Sequence, residues 1–448
     1  MKENKQGLGT EPIYDARVLG VPRMLVLGLQ HMFAMFGATV LVPIIVNGYG
    51  LPLSIQTTLF FAGIGTLFFH ACTKWKVPAF LGSSFAFLGG FAAVASLNSG
   101  KYAGMSGAEK LPYALGGIVV AGLLYVVLAL LFKVLGAHKV MRYFPPVVTG
   151  PIIILIGLIL APTAVTNASS CWWLAILSIA VIIFFNIWGK GMLKIIPILL
   201  GVLLPYLVAL VAGQVDFTPV GQAAAVGIQP FVLAKFDFSA IAVMAPIAIA
   251  SMMEHVGDIS AISATTGNNF LEDPGLHRTL IGDGIATALA GLFGGPANTT
   301  YGENTGVLAL SRVYDPKVVR LAALYAVILS FSPKFAAVIS SIPTAIIGGV
   351  SFILYGMISA VGVRNVVENR VDFTLSRNLL IAAVILVSGL GFTNVGGLVF
   401  PIGGVDITLT GLAIAAILGV ALNAILPGND YVFGKDPHAD GAANLGKY

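Results

Sequence analysis

Apolar residues in this chain come in long runs separated by short polar breaks, not in strand-like alternation. Run after run approaches the ~20 residues that a helix needs to cross a bilayer. Fourteen segments can be read, at roughly 24–47, 53–72, 79–97, 112–135, 146–162, 171–189, 193–213, 238–260, 279–294, 301–311, 318–336, 343–362, 378–395 and 407–427. Each predicts a helix. Two are weak as free-standing spans: the third is broken by Gly82, Gly89 and Gly90, and the tenth is short and follows "FGGPANTTYG". The chain is 57% hydrophobic and 10% charged, where a soluble chain would be about a quarter charged. The reading is therefore an all-α polytopic membrane protein.

Charge placement tests the count. With the N-terminus inside and every segment crossing, four of the 24 lysines and arginines (Lys101, Lys110, Lys235 and Lys334) fall outside and the rest inside. That bias is what the positive-inside rule requires, and dropping one middle span would invert every later loop. An even number of spans with both termini cytoplasmic follows, with Trp172 and Trp173 at the outer surface. The net charge of +5 comes from residues scattered singly at segment ends, so it does not point to nucleic acid. The first twenty residues lack an apolar core followed by a cleavage site, so the first span is expected to do the targeting. Cys72 and Cys171 show no metal spacing and read as packing residues.

Third and tenth are the same ordinal position if seven spans are followed by seven more. Both weak segments carry a Pro, glycines and then small polar residues, in "VPAFLGSSFAF" and "GPANTTYGENTGV". Seven is odd, so the second copy enters from the opposite side. That is an inverted repeat, a transporter architecture whose interrupted spans point to the binding site.

Buried carboxylates mark the chemistry. A charge at the bilayer centre costs about 2.5–3.5 kcal/mol on insertion scales, so such a residue usually faces a cavity. Glu254 and Asp258 are four apart, on one helix face. Glu303 sits where the broken tenth segment begins. A short helix starting there, and another starting near Ser84 and Phe85, would aim free backbone N–H groups inward. Glutamate acceptors beside such donors suit a small polar solute, for instance a planar ring with alternating C=O and N–H groups.

The stretches "QHMFAMFGATVLVP", "PAFLGSSFAF", "EHVGD", "DPGLHRTLIGDG" and "NTTYGENTGV" together resemble the nucleobase–cation symporter-2 family, also called nucleobase/ascorbate transporters, and within it the bacterial uracil permeases. The resemblance runs from about Val21 to Pro427. It implies fourteen spans in two inverted repeats, with a core of spans one to four (24–135) and eight to eleven (238–336). A gate would be formed by spans five to seven (146–213) and twelve to fourteen (343–427), between cytoplasmic tails 1–23 and 428–448. It implies uptake of a nucleobase with a proton, or with sodium in some members, across the cell membrane, and a homodimer through gate spans. It implies no cofactor.

Carried over by motif, Glu254 and Glu303 would bind the base, and the backbone amides of Phe85 and Gly302 would meet its carbonyls. Ser84 lies at the same helix start. Tyr301, Asn304 and His31 would support the site, and Tyr355 would approach from the gate. Glu254 or Asp258 would carry the coupled proton. The glutamate opening "ENTGVLALSR" favours uracil over the purine-using branches. A xanthine or uric acid permease stays open as an alternative, as does an anion exchanger on a related fold, though two acidic residues at the helix ends argue against the latter. "EHVGD" has no partner cluster for a membrane enzyme or a metal. His255 reads as packing or support. Asp283 could pair inside the core or end a loop.

Overall fold

The computed structural model describes residues 11–402, 405–429 and 431. Helices dominate, because a backbone in lipid must satisfy its own N–H and C=O groups. In chain order they are α1 (Val21–Gly48), α2 (Ile55–Cys72), α3 (Leu88–Ser96, led by a tighter turn over Phe85–Phe87), α4 (Gly107–Leu135), α5 (Pro146–Ser169), α6 (Trp172–Trp188), α7 (Pro197–Val211) and α8 (Ile247–Thr266). There follow α9 (Leu276–Leu292), α10 (Gly302–Ser311), α11 (Pro316–Ser330), α12 (Pro333–Ser340), α13 (Thr344–Glu368), α14 (Ser376–Asn394) and α15 (Gly411–Ile425), with a few turn-length helices between.

Among the described residues, seven helices are long and apolar enough to cross a membrane: α1, α2, α4, α5, α13, α14 and the run Phe238–Thr266 that contains α8. Four more, α6, α7, α15 and the stretch Phe85–Ser96, are apolar but shorter. The protein is a multi-pass membrane protein. The segment read as an eleventh span, 318–336, is not one straight helix. α11 stops at Ser330 and α12 leaves it at 90°. Pro333 cannot continue the earlier hydrogen-bond ladder, and the Ser332 hydroxyl caps α12 by accepting the Phe335 N–H at 3.2 Å.

The third and tenth segments each begin as a strand. β1 (Leu81–Ser83) pairs antiparallel with β2 (Asn298–Thr300), in the register Leu81↔Thr300, Gly82↔Thr299 and Ser83↔Asn298. A second pair, β3 (Leu398–Ile402) with β4 (Val405–Leu409), forms a hairpin ahead of α15.

The segment from Ala212 to Asp237 is a strap. Its backbone N–H groups at Gly227, Val232 and Lys235 donate to carbonyls of Phe331, Phe293 and Pro112. The buried Gln229 amide donates to Ser330 Oγ at 2.7 Å. It thereby ties together the ends of α4, α9 and α11. Residues 11–20 make a second strap: Ile13 bridges to Val313, and the Ala16 N–H donates to Asp315 Oδ2 at 2.8 Å. Trp172 and Trp173 are exposed at the start of α6, as an interfacial pair would be. Lys2, Lys5, Lys435, Lys447 and most of the 428–448 tail lie outside the described residues.

Candidate functional site

A strand at membrane depth is tolerated where another strand satisfies it. β1 and β2 do this for each other, 218 residues apart at Ser83 and Tyr301. The ladder is extended by the Ser84 N–H donating to Ala297 O at 2.8 Å and the Tyr301 N–H donating to Phe80 O at 3.0 Å. Because the strands are antiparallel, the helices that follow them start at opposite ends of the ladder, one at Phe85 and one at Gly302. Each start leaves first-turn N–H groups without intrahelical acceptors, and these carry the positive end of the helix dipole.

One side chain sets how closely the strands cross. Tyr301 lies over Gly82, and its hydroxyl donates to Ser83 O at 2.9 Å. A Cβ at Gly82 would overlap the Tyr301 ring and stand 2.8 Å from Thr39 Oγ1. The Ser83 hydroxyl donates to Thr39 O at 2.7 Å, fastening the crossing to α1.

α8 passes beside this crossing. Its 3.6-residue period puts Glu254 and Asp258 on one face, and both are buried. Asp258 Oδ2 accepts the Thr300 hydroxyl at 2.8 Å. It is thus a buried residue tied to β2. Glu254 Oε2 is buried without a partner. Glu303, half-buried in the first turn of α10, faces the same space.

That space is a cavity of about 530 Å³. Glu254, Asp258, Glu303, Phe85, Tyr301 and Gly302 line its deep end; Lys194, Asn186 and Arg364 line its mouth. Four expected residues stand behind its wall. Tyr355 packs edge-to-face on Phe85 with ring centroids 5.7 Å apart. Ser84 Oγ lies 3.4 Å from Ser251 Oγ on α8. Asn304 Nδ2 donates to His31 O at 3.1 Å and lies 3.2 Å from His31 Nδ1, so this pair joins α10 to α1.

His255, next to Glu254, turns away from the cavity. Its Nδ1 comes to 2.8 Å from Asp283 Oδ2 on α9, both side chains fully buried. The approach has ion-pair distance without hydrogen-bond alignment. Asp283, left undecided by the sequence, therefore pairs inside the core.

Sequence reasoning missed Thr300 and Thr299, which line the cavity, and the mouth cations Lys194 and Arg364. Both threonines lay within "NTTYGENTGV"; a strand reading of "NTT" would have put alternate side chains toward α8. Among the described residues, no group of three or more His, Cys, Asp or Glu side chains is placed to hold a metal, and Cys72 and Cys171 are free thiols.

Residues 22–397 match the profile Xan_ur_permease, described as a permease family. The chain belongs to this permease family. The uracil permease of Bacillus caldolyticus is 44% identical to this permease over 423 residues, covering 91% of this chain and 93% of that one. The uracil permease of Bacillus subtilis (strain 168) is 42% identical over 418 residues, 89% of this chain and 91% of that one. That of Escherichia coli (strain K12) is 38% identical over 410 residues, 89% and 90%. Among solved structures, the transmembrane domain of a cyanobacterial bicarbonate transporter, BicA, superposes with a TM-score of 0.60 at 15% identity, over 93% of this chain and 100% of that one. Murine Solute Carrier 26 family member A9, an anion transporter in its inward-facing state, gives 0.64 at 10% identity, over 94% and 73%. At such identities the likeness is one of fold alone.

Proposed function

We propose that this permease takes up uracil together with a proton across the cell membrane by alternating access. The observation that carries the reading is the buried carboxylate of Glu254, one oxygen of which has no partner, lining a cavity with Glu303 and two helix starts. A ring with alternating C=O and N–H groups complements that set. Carboxylates accept its N–H donors, and the amides at Phe85 and Gly302 meet its carbonyls. An unmatched buried donor or acceptor would cost about 1–3 kcal/mol, which gives the site its preference for such a ring. The names of the three relatives fit the same substrate.

The proton enters through one carboxyl group. A carboxylate only accepts hydrogen bonds; once protonated it also donates one. Protonation of Glu254 or Asp258 thus changes how the base is held, and that change couples the two solutes. The fold we propose has fourteen spans in two inverted seven-span repeats, with β1–α3 and β2–α10 as the interrupted third and tenth. The core comprises 24–135 and 238–336, the gate 146–213 and 343–427, and both termini are cytoplasmic. Lys194 and Arg364 then put the mouth of the cavity on the cytoplasmic side. A homodimer through gate helices belongs to the same proposal.

The bicarbonate and anion transporters share this fold, but two glutamates lining the same cavity oppose an anionic cargo. A xanthine or uric acid cargo is separated by competition with a panel of bases.

The test is uptake of radiolabelled uracil into proteoliposomes holding the purified protein, with and without an inward proton gradient. Gradient-dependent accumulation that a protonophore abolishes is expected, and Glu254→Ala should remove it at normal expression. Uptake by Glu254→Ala near the wild-type rate would sink the role given to that residue; equilibration without accumulation would remove the proton.

A further inference from the structure

The cavity at the glutamates ends on the ring of Phe85. The same residue also lines a second cavity, of about 280 Å³. Its wall on one side is α3 and its leading turn, through Ala86, Gly89, Ala93 and Ser96. Its other walls are α5, through Ile156 and Leu160, the C-terminal end of α14 at Thr393, and the β3–β4 hairpin at Thr408. Among the described residues, Phe85 alone lines both cavities. It is buried, and it packs edge-to-face on Tyr355 of α13, which is buried as well.

We infer that the Phe85–Tyr355 pair is the partition of a single transport path, and that the second cavity is its outer chamber, through which the neutral ring reaches Glu254 and Glu303. The inference rests on the uptake reading and adds to it a gating residue and an antechamber. Three features support it. Both cavities are lined by this one side chain, so a rotation of that ring, or a small shift of the turn that carries it against α13, joins them. Tyr355 backs the Phe85 ring edge-to-face, so the pair takes one residue from each proposed domain. Among the described residues, the chamber carries no charged side chain to retain a solute, and two of its hydroxyls have already given their protons, Ser96 to Ala93 O at 2.8 Å and Thr393 to Gly389 O at 2.7 Å. A ring crossing it meets mostly small and apolar residues, whereas the carboxylates beyond Phe85 offer charged acceptors.

The experiment labels single cysteines in intact cells with a membrane-impermeant maleimide, in full-length protein with Cys72 and Cys171 replaced by Ser, in the absence of uracil. Ala93→Cys, in the outer chamber, should react from outside. Ala309→Cys, in the inner cavity, should react slowly from outside. Combining it with Phe85→Ala, or separately with Tyr355→Ala, should raise its labelling rate several-fold, while Tyr355→Phe, which keeps the ring, should leave it unchanged. An Ala93→Cys protein that is unreactive from outside would overturn the chamber. An Ala309→Cys rate unmoved by either alanine variant would overturn the partition. Because labelling needs no substrate, a failure of uracil uptake would count against the uptake reading and leave these results standing.

Discussion

Replacing Gly82 by Ala tests whether the strand crossing sets the geometry of the site. The added methyl would overlap the Tyr301 ring and approach Thr39 Oγ1 to 2.8 Å, so strand or ring must give. Overpacking of this kind costs about 1–3 kcal/mol. If the ring moves, its hydroxyl leaves Ser83 O, and an unsatisfied buried group costs about 1–3 kcal/mol more. If instead the strands part by about an ångström, Phe85 and Gly302 move with them, because both helix starts are continuous with the ladder. A misplacement of that size can cost about a hundredfold in function. Binding of uracil to the purified protein, measured by isothermal titration calorimetry, should weaken about a hundredfold, with an unchanged size-exclusion profile. Adding Tyr301→Leu to Gly82→Ala removes the ring that the methyl strikes and should recover part of the loss, giving a favourable coupling in the double-mutant cycle. Wild-type affinity in Gly82→Ala alone would refute the crossing as the determinant.

Thr300→Val keeps the side-chain shape and removes the donor to Asp258 Oδ2; leaving that acceptor buried costs about 1–3 kcal/mol, so thermal unfolding in detergent should occur at lower temperature, while Thr300→Ser matches wild type. At Gly257 a Cβ would stand 3.0 Å from Ile153 Cδ1 and 3.1 Å from Asn365 Nδ2. Gly257→Leu should therefore wedge α8 against α5 and α13 and abolish transport while uracil binding persists; transport at the wild-type rate would show that this face does not slide. The Asp15 carboxyl is held below the ordinary carboxylate value of 3.8, chiefly by the Arg17 backbone N–H and then by Lys317. Its lowered value means that its hold on the N-terminal strap is present at neutral pH and lost as pH falls through that value. A spin label on Val18→Cys should gain mobility only below pH 3.8, and at neutral pH should be more mobile in Asp15→Asn than in the parent protein.

Helix positions were legible because the transfer of apolar side chains into lipid acts residue by residue along a run. Glu254, Asp258 and Glu303 were legible for the opposite reason: each is costly where it stands, and the structure brings all three to one cavity. Asp283 stayed ambiguous because its partner His255 lies on another helix and leaves no local trace. The pairing of β1 with β2 was invisible for the same reason. Three residues per strand are too few for a period, and the partner is 218 residues away. The β3–β4 hairpin was lost because "LVFPI" and "VDITL" sit in a chain where apolar residues are everywhere. Tyr355, expected to approach from the gate, packs edge-to-face on Phe85 and stands behind the cavity wall, a placement that only tertiary packing sets.

The contact between Ser83 and Tyr301 also sets a schedule for synthesis. Ribosomes add about 5–20 residues per second, so the chain from Ser83 to its strand partner Asn298 takes about 10–45 s. Throughout that interval the first strand has been made and its partner has not. Its N–H and C=O groups cannot remain bare in hydrocarbon, where each would cost several kcal/mol. The nascent half must hold residues 81–83 in water, at the headgroups or against the insertion machinery until Asn298–Thr300 arrives. A ribosome that stalls before residue 298 leaves a chain with several complete helices and an unsatisfied strand, which is a substrate for quality-control proteolysis.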